Sequence, residues 1–294
     1  MKLIDFYSQA VRLGRCADPR KRKGGIKSFA DSSILCGDPD TQVFSVMVGI
    51  DVEVGEILLA DRIRQKDKLD LIIAHHPEGY SYAHLHEVMS LQVDLLKQAG
   101  LPAETASRLI EERRREVERR ILPQNHNRAV DAAKILGLPF MNLHTPADNQ
   151  VHAFLEDFFK KNFISSRTLG EAVNVLKAIP EYRIAERFGV GPRVVLGNPA
   201  RKTGKIMLEM TGGTEGPKEA MDKLYRAGVR TLISMHSSEE HLKKAREANL
   251  SVIIAGHISS DVLGLNLLLD GIERHFKQEL KVVECSGFTR IKRR

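Results

Sequence analysis

Residues 229–276 read VRTLISMHSSEEHLKKAREANLSVIIAGHISSDVLGLNLLLDGIERHF. Two apolar runs, Val229–Ser234 and Val252–Ala255, each turn into a helical pattern, Glu239–Ala248 and Ser259–Phe276. A strand that is apolar almost throughout suits a parallel sheet covered on both faces. Strand–turn–helix alternation of this kind predicts an α/β fold with largely parallel pairing. Outward from this stretch, Val194–Leu196, Ile206–Met210 and Leu280–Glu284 read as further strands, and Lys218–Ala227 as a helix. The first half alternates too, with strands at Val43–Ile50, Leu69–Ala74 and Pro139–Leu143. Helical patterns there cover Gly55–Arg64, Leu85–Leu96, Glu104–Leu122 and Asn127–Leu136, after an amphipathic start to the chain. Val151–Gly191 reads as helix broken at Pro180, a connection between units. The expected organisation is two α/β domains, 1–165 and 166–294.

Composition narrows the function. The chain has 294 residues, 45 basic and 38 acidic, for a net charge of +7. It has no Trp and 5% aromatic residues, which disfavours a base-stacking nucleic-acid platform. An excess of positive charge invites polyanions, with basic runs at Arg20–Lys23, Arg113–Arg120 and Lys292–Arg294. Ordinary solvated surface is the stronger reading of those runs, with pairs such as Glu111–Arg115 along a helix. No apolar run is long enough to span a bilayer, and Asp5 interrupts the first apolar stretch, so a cytoplasmic chain without membrane contact is expected. Cys16, Cys36 and Cys285 stand singly, which suggests neither a zinc ribbon nor a disulfide framework.

Three clusters follow predicted strands, where loops and helix starts of an α/β sheet converge on ligands. The first is Ala74-His75-His76-Pro77. Adjacent histidines leaving a strand are expected to point apart, so two ions suit them better than one; a surface pair at a turn is the plainer reading. The second is Asn142-Leu143-His144-Thr145-Pro146-Ala147-Asp148. Asp148 can supply a bridging carboxylate and His144 can ligate or orient, although turn and cap chemistry explains the same residues. The third is Gly256-His257-Ile258-Ser259-Ser260-Asp261. His257 and Asp261, four apart, share a face if the helix begins at the glycine. Together, His75, His76, Asp148, His257 and Asp261 offer three nitrogens and two carboxylates. That set suits two divalent transition-metal ions, Zn, Fe, Mn or Co, better than Mg or Ca. Thr211–Gly216 is glycine-rich but matches no phosphate-binding pattern and reads as a structural turn. His236 is a candidate catalytic or substrate-facing residue, and His241 is expected on a helix surface.

The order His-His-Pro, then Asn-Leu-His-Thr-Pro-Ala-Asp, then Gly-His-x-x-x-Asp resembles the NGG-interacting-factor-three-like family, whose bacterial members are labelled GTP cyclohydrolase type-two-like. The resemblance covers Phe44–Pro77, Asn142–Asp148 and Lys205 to about Glu273. It implies two similar α/β domains, a dinuclear metal centre in the cleft between them, and a ring-shaped homohexamer. It also implies that His75, His76, Asp148, His257 and Asp261 are the metal ligands. The family usually has Glu where this chain has Asp261, and Gly-Asp or Gly-Glu where it has Met235-His236. The helical stretch Tyr82–Leu122 is longer than the family leads one to expect.

The expected function is a metal-dependent hydrolase. Two divalent ions acidify water enough to supply hydroxide near neutral pH, with Asp148 bridging and His144 or His236 moving protons. A GTP cyclohydrolase-like reaction on a nucleotide is the form the family label implies; phosphoester or amide-like hydrolysis fits the same residues. The alternative is a metal-binding regulatory or interaction protein, with nucleic-acid association as a further form of it.

Overall fold

The computed structural model describes residues 1–20, 26–163 and 167–293. The Lys21–Lys23 part of the first basic run, the 165/166 division and Arg294 lie outside them.

Two mostly parallel sheets carry the chain. The first contains β1 (Ser33–Cys36), β2 (Ser45–Gly49), β3 (Leu71–Ala74), β4 (Phe140–Asn142) and β9 (Lys281–Glu284), in the order β1-β4-β3-β2-β9. The second contains β5 (Arg193–Leu196), β6 (Lys205–Glu209), β7 (Val229–Ser234) and β8 (Ser251–Ile254), in the order β5-β8-β7-β6. The four-strand order is the same in both. In each sheet the first strand is antiparallel to the fourth, with a register shift between Ile34 and Cys36 or between Val194 and Leu196. The other pairings are parallel. β2 and β3 are buried at every position, as their continuous apolar composition requires.

β9 leaves the second half of the chain and pairs with β2, Val46 opposite Val282. The two units proposed from the sequence therefore share a sheet. β1 is a half-buried edge strand of four residues that its short sequence does not announce.

Two helices form a layer between the sheets. Thr145–Asn162 follows β4, and His257–Phe276 follows β8. Val262, Leu265 and Leu269 pack into the first sheet's core, while Leu263 packs with Val151 and Leu155 into the second's. The helices meet closely at Gly264, where an added Cβ would lie 2.6 Å from the Ala147 carbonyl oxygen. Both start earlier than the apolar periodicity suggests, because Thr145–Asn149 and His257–Asp261 are polar first turns. Pro180 does not merely break a helix; it begins one, Pro180–Arg187, where its missing N–H is no loss.

Candidate metal centre

The short β-strands place four chain exits at one point. His75 and His76 leave β3, His144 precedes the helix after β4, Met235 and His236 leave β7, and His257 opens the helix after β8. Gly256 makes the last turn in a left-handed conformation, φ 113°, that suits glycine. Asp148 and Asp261 each stand four residues, one helical turn, after a histidine: His144 Nε2 is 3.7 Å from Asp148 Oδ2, and His257 Nε2 is 3.7 Å from Asp261 Oδ2.

The carboxylates are not equivalent. Asp261 faces three rings, with Oδ1 3.4 Å from His75 Nε2 and Oδ2 3.5 Å from His76 Nε2 and 3.7 Å from His257 Nε2. Asp148 faces two, His144 and His75, the latter at 3.5 Å. Among the described residues, two groups are close enough to hold an ion: His75, His76 and Asp261, and His75, His144 and Asp148. The adjacent histidines do not diverge as far as expected. Their ring centroids are 5.2 Å apart, and both rings reach Asp261.

These side chains fit a cation. His75, Asp148 and Asp261 are almost fully buried, yet both His75 ring nitrogens, Asp148 Oδ1 and both Asp261 oxygens lack a hydrogen-bond partner. Separations of 3.4–3.7 Å are long for hydrogen bonds. They match two ligands on one tetrahedral ion, which at bond lengths near 2.1 Å sit about 3.4 Å apart.

A second layer orients the rings. Asp31, wholly buried, accepts from Thr145 Oγ1 at 2.6 Å and pairs with His144 Nδ1 at 2.7 Å. Asp51 pairs with His76 Nδ1 at 2.6 Å. Such contacts fix which nitrogen points inward. Glu215 holds His236 at Nδ1, 3.4 Å away, with the His236 ring 4.7 Å from that of His257.

Electrostatics follow this packing. Burial lowers the His76 pKa, but Asp261 and Asp51 outweigh it and lift it to about 10. Burial, against the pull of Asp261, takes His257 down to about 4. Burial also raises Asp148, opposed by His144 and His75, whereas the surrounding histidines overcome burial and hold Asp261 well below the usual carboxylate range.

Three expectations change. His241 is buried rather than a surface residue: Nε2 lies 2.8 Å from the Gly216 carbonyl, and Nδ1 is 2.7 Å from Ser238 Oγ. The glycine-rich turn is more than a connector, because Thr211, Gly213, Thr214 and Glu215 help line the cluster. Arg113, in the charged helix, is buried and donates to the Glu215 carbonyl oxygen. Glu111–Arg115 is the ion pair expected, at 2.7 Å.

Sequence reasoning did not find Asp31, Asp51 or Glu215. It also missed Glu53, Glu78, Gln124, Asn125 and Arg128, which with His76, His144, His236 and His257 border a cavity of about 410 Å³. None belongs to a motif; chain folding alone brings them to the histidines.

No protein-family model matches the chain, and no curated protein matches it. Among solved structures, a NIF3 superfamily protein from Sphaerobacter thermophilus superposes with a TM-score of 0.79 at 27% identity, over 96% of this chain and 97% of that one. In fold and in sequence the chain is similar to the NIF3-like family. Reduced HcgD from Methanocaldococcus jannaschii shares the fold with this NIF3-like chain at 14% identity and a TM-score of 0.57, over 96% and 97% of the two chains. A Bacillus cereus protein related to NIF3 does so at 10% identity and a TM-score of 0.52, over 96% of each. At such identities the likeness is one of fold. Among the described residues of this NIF3-like protein, no helix is long and apolar enough to cross a membrane.

Proposed function

We propose that this chain is a metal-dependent hydrolase with two divalent transition-metal ions held by His75, His76, Asp148, His257 and Asp261. The observation that carries the proposal is the Asp261 carboxylate, buried, without a hydrogen-bond partner and facing three histidines through its two oxygens. Asp261, facing three histidines against the two that face Asp148, would hold more of the bound metal. On the same ground, His144 joins His75 and Asp148 as a candidate ligand.

When bound, the ions would acidify water and polarise a substrate oxygen. The protein residues do the rest. Asp31 and Asp51 fix the outer nitrogens of His144 and His76, so that Nε2 of each faces inward. His236, with Glu215 3.4 Å from its Nδ1, can take or give a proton at Nε2 beside His257. The cavity of about 410 Å³ is of small-molecule size. The amides of Gln124 and Asn125 and the guanidinium of Arg128, which pairs with Glu53 at 3.2 Å, provide donors for a polar substrate there. A GTP cyclohydrolase-like reaction is the nucleotide form of this proposal. The family resemblance adds a homohexamer.

A panel of nucleotides, phosphoesters and cyclic amides, assayed with metal-loaded and chelator-treated protein, tests it. The proposal predicts turnover that requires metal and is lost in Asp261→Asn. Retained metal without turnover across the panel would favour a metal-binding regulatory or interaction protein.

A further inference from the structure

The helix Thr145–Asn162 carries another histidine one turn beyond Asp148. His152 is 2% exposed, and neither ring nitrogen has a hydrogen-bond partner. The carboxylate of Glu156 is 3.9 Å from Nε2, beyond hydrogen-bond reach. A buried imidazole in this state is completed by something else.

His152 opens onto a cavity of about 340 Å³ between its own helix, the helix Leu91–Ala99 and β6. Among the described residues, this cavity and those over the histidine cluster have no lining residue in common. Leu95, Phe159 and Leu208 give it apolar walls, and Lys160 and Lys205 stand at its edge against the single carboxylate of Glu156. Lys205 Nζ is anchored 2.6 Å from the Ala99 carbonyl oxygen, while Lys160 is largely exposed and 3.8 Å from Glu156.

We infer that this cavity is a second ligand site, separate from the metal centre, for a hydroxylated monocarboxylic acid with an apolar body. The hydroxyl meets His152, the carboxylate faces Lys160 and Lys205, and the hydrocarbon lies against Phe159 and Leu208. Burial lowers the His152 pKa, so at neutral pH the ring has one N–H donor and one bare acceptor nitrogen. A hydroxyl both donates and accepts, and so serves whichever nitrogen it meets. The surplus of ammonium over carboxylate selects an anion.

The test is calorimetric titration of the full chain with 3-hydroxyoctanoate, with octanoate, which lacks the hydroxyl, and with octane-1,3-diol, which lacks the carboxylate. The inference predicts saturable binding of the hydroxy acid, about tenfold tighter than either comparison compound. His152→Phe should weaken it about tenfold while the thermal melt is kept, and Lys160→Gln should weaken it less. Three results would overturn the inference: no saturation, equal affinity for all three compounds, or undiminished binding to folded His152→Phe, which would put the acid on the histidine–aspartate cluster instead. If His152→Phe does not fold, the three-compound series and Lys160→Gln decide.

Discussion

Asp261 Oδ1 lies 3.4 Å from Nε2 of His75. A helix that follows the second sheet thus meets a strand exit of the first. The contact spans 186 positions of chain (261 − 75) and exists only because the helices Thr145–Asn162 and His257–Phe276 run side by side between the sheets.

The two carboxylates should differ in what they hold. Asp261→Asn is expected to cost the larger part of the bound metal, because Asp261 faces three histidines, His75, His76 and His257. Asp148→Asn, which faces only His75 and His144, should leave about half of the metal. Elemental analysis of the two purified variants checks this; equal loss from both would remove the distinction.

The ligand histidines should be separable from folding. His75→Ala combined with His257→Ala is expected to strip the metal while the far-ultraviolet circular dichroism stays that of the parent. Full metal retention in this double variant would exclude the assigned residues.

Close helix approach should matter as much as the ligands. At Gly264 a methyl group meets the backbone of Ala147, which no side-chain rotation relieves. Gly264→Ala is expected to cost about 1–3 kcal/mol in chemical denaturation, as overpacking does. It should also weaken metal retention, since the same helices carry Asp148 and Asp261.

Asp31 anchors His144 and Thr145 from a fully buried position. Removing one partner from a buried charged network is expensive, so Asp31→Ala should lose about 3–5 kcal/mol of stability by urea denaturation. A loss within experimental error would show that the network does not hold the site.

Glu78 borders the polar cavity, and burial, with help from Glu53 and against Arg128, raises its pKa from 4.5 to about 7. Between those values the folded chain keeps a proton that the unfolded chain has released, so this group lowers stability as pH rises from 4.5 to 7 and no further above. In chelator-treated protein, Glu78→Gln should therefore gain melting temperature over the parent at pH 8, and gain least near pH 4. An equal difference at both values would contradict the shift.

Much of this was legible in residues alone. The apolar runs Leu69–Ala74 and Val229–Ser234 announce buried parallel strands, and strands are found at Leu71–Ala74 and Val229–Ser234. The five proposed ligands do come together, because parallel strands deliver their exits to one edge of each sheet and the two helices packed side by side join those edges. The likeness of the two halves came from the family resemblance and not from any repeat in the residues. The sheets have the same strand order, and the two halves share the short pattern His-x-x-x-Asp, at His144–Asp148 and His257–Asp261. The helix starts were hidden because their first turns are polar, which masks the apolar period. Asp31, Asp51 and Glu215 were illegible for another reason: each lies in a loop, and only the fold brings it to the histidine it holds.

The most direct test of the metal centre is elemental mass spectrometry of the untagged protein, purified without added metal. The account predicts close to two transition-metal equivalents per chain. A content close to zero, with no uptake of Zn, Mn, Fe or Co on addition, would contradict it.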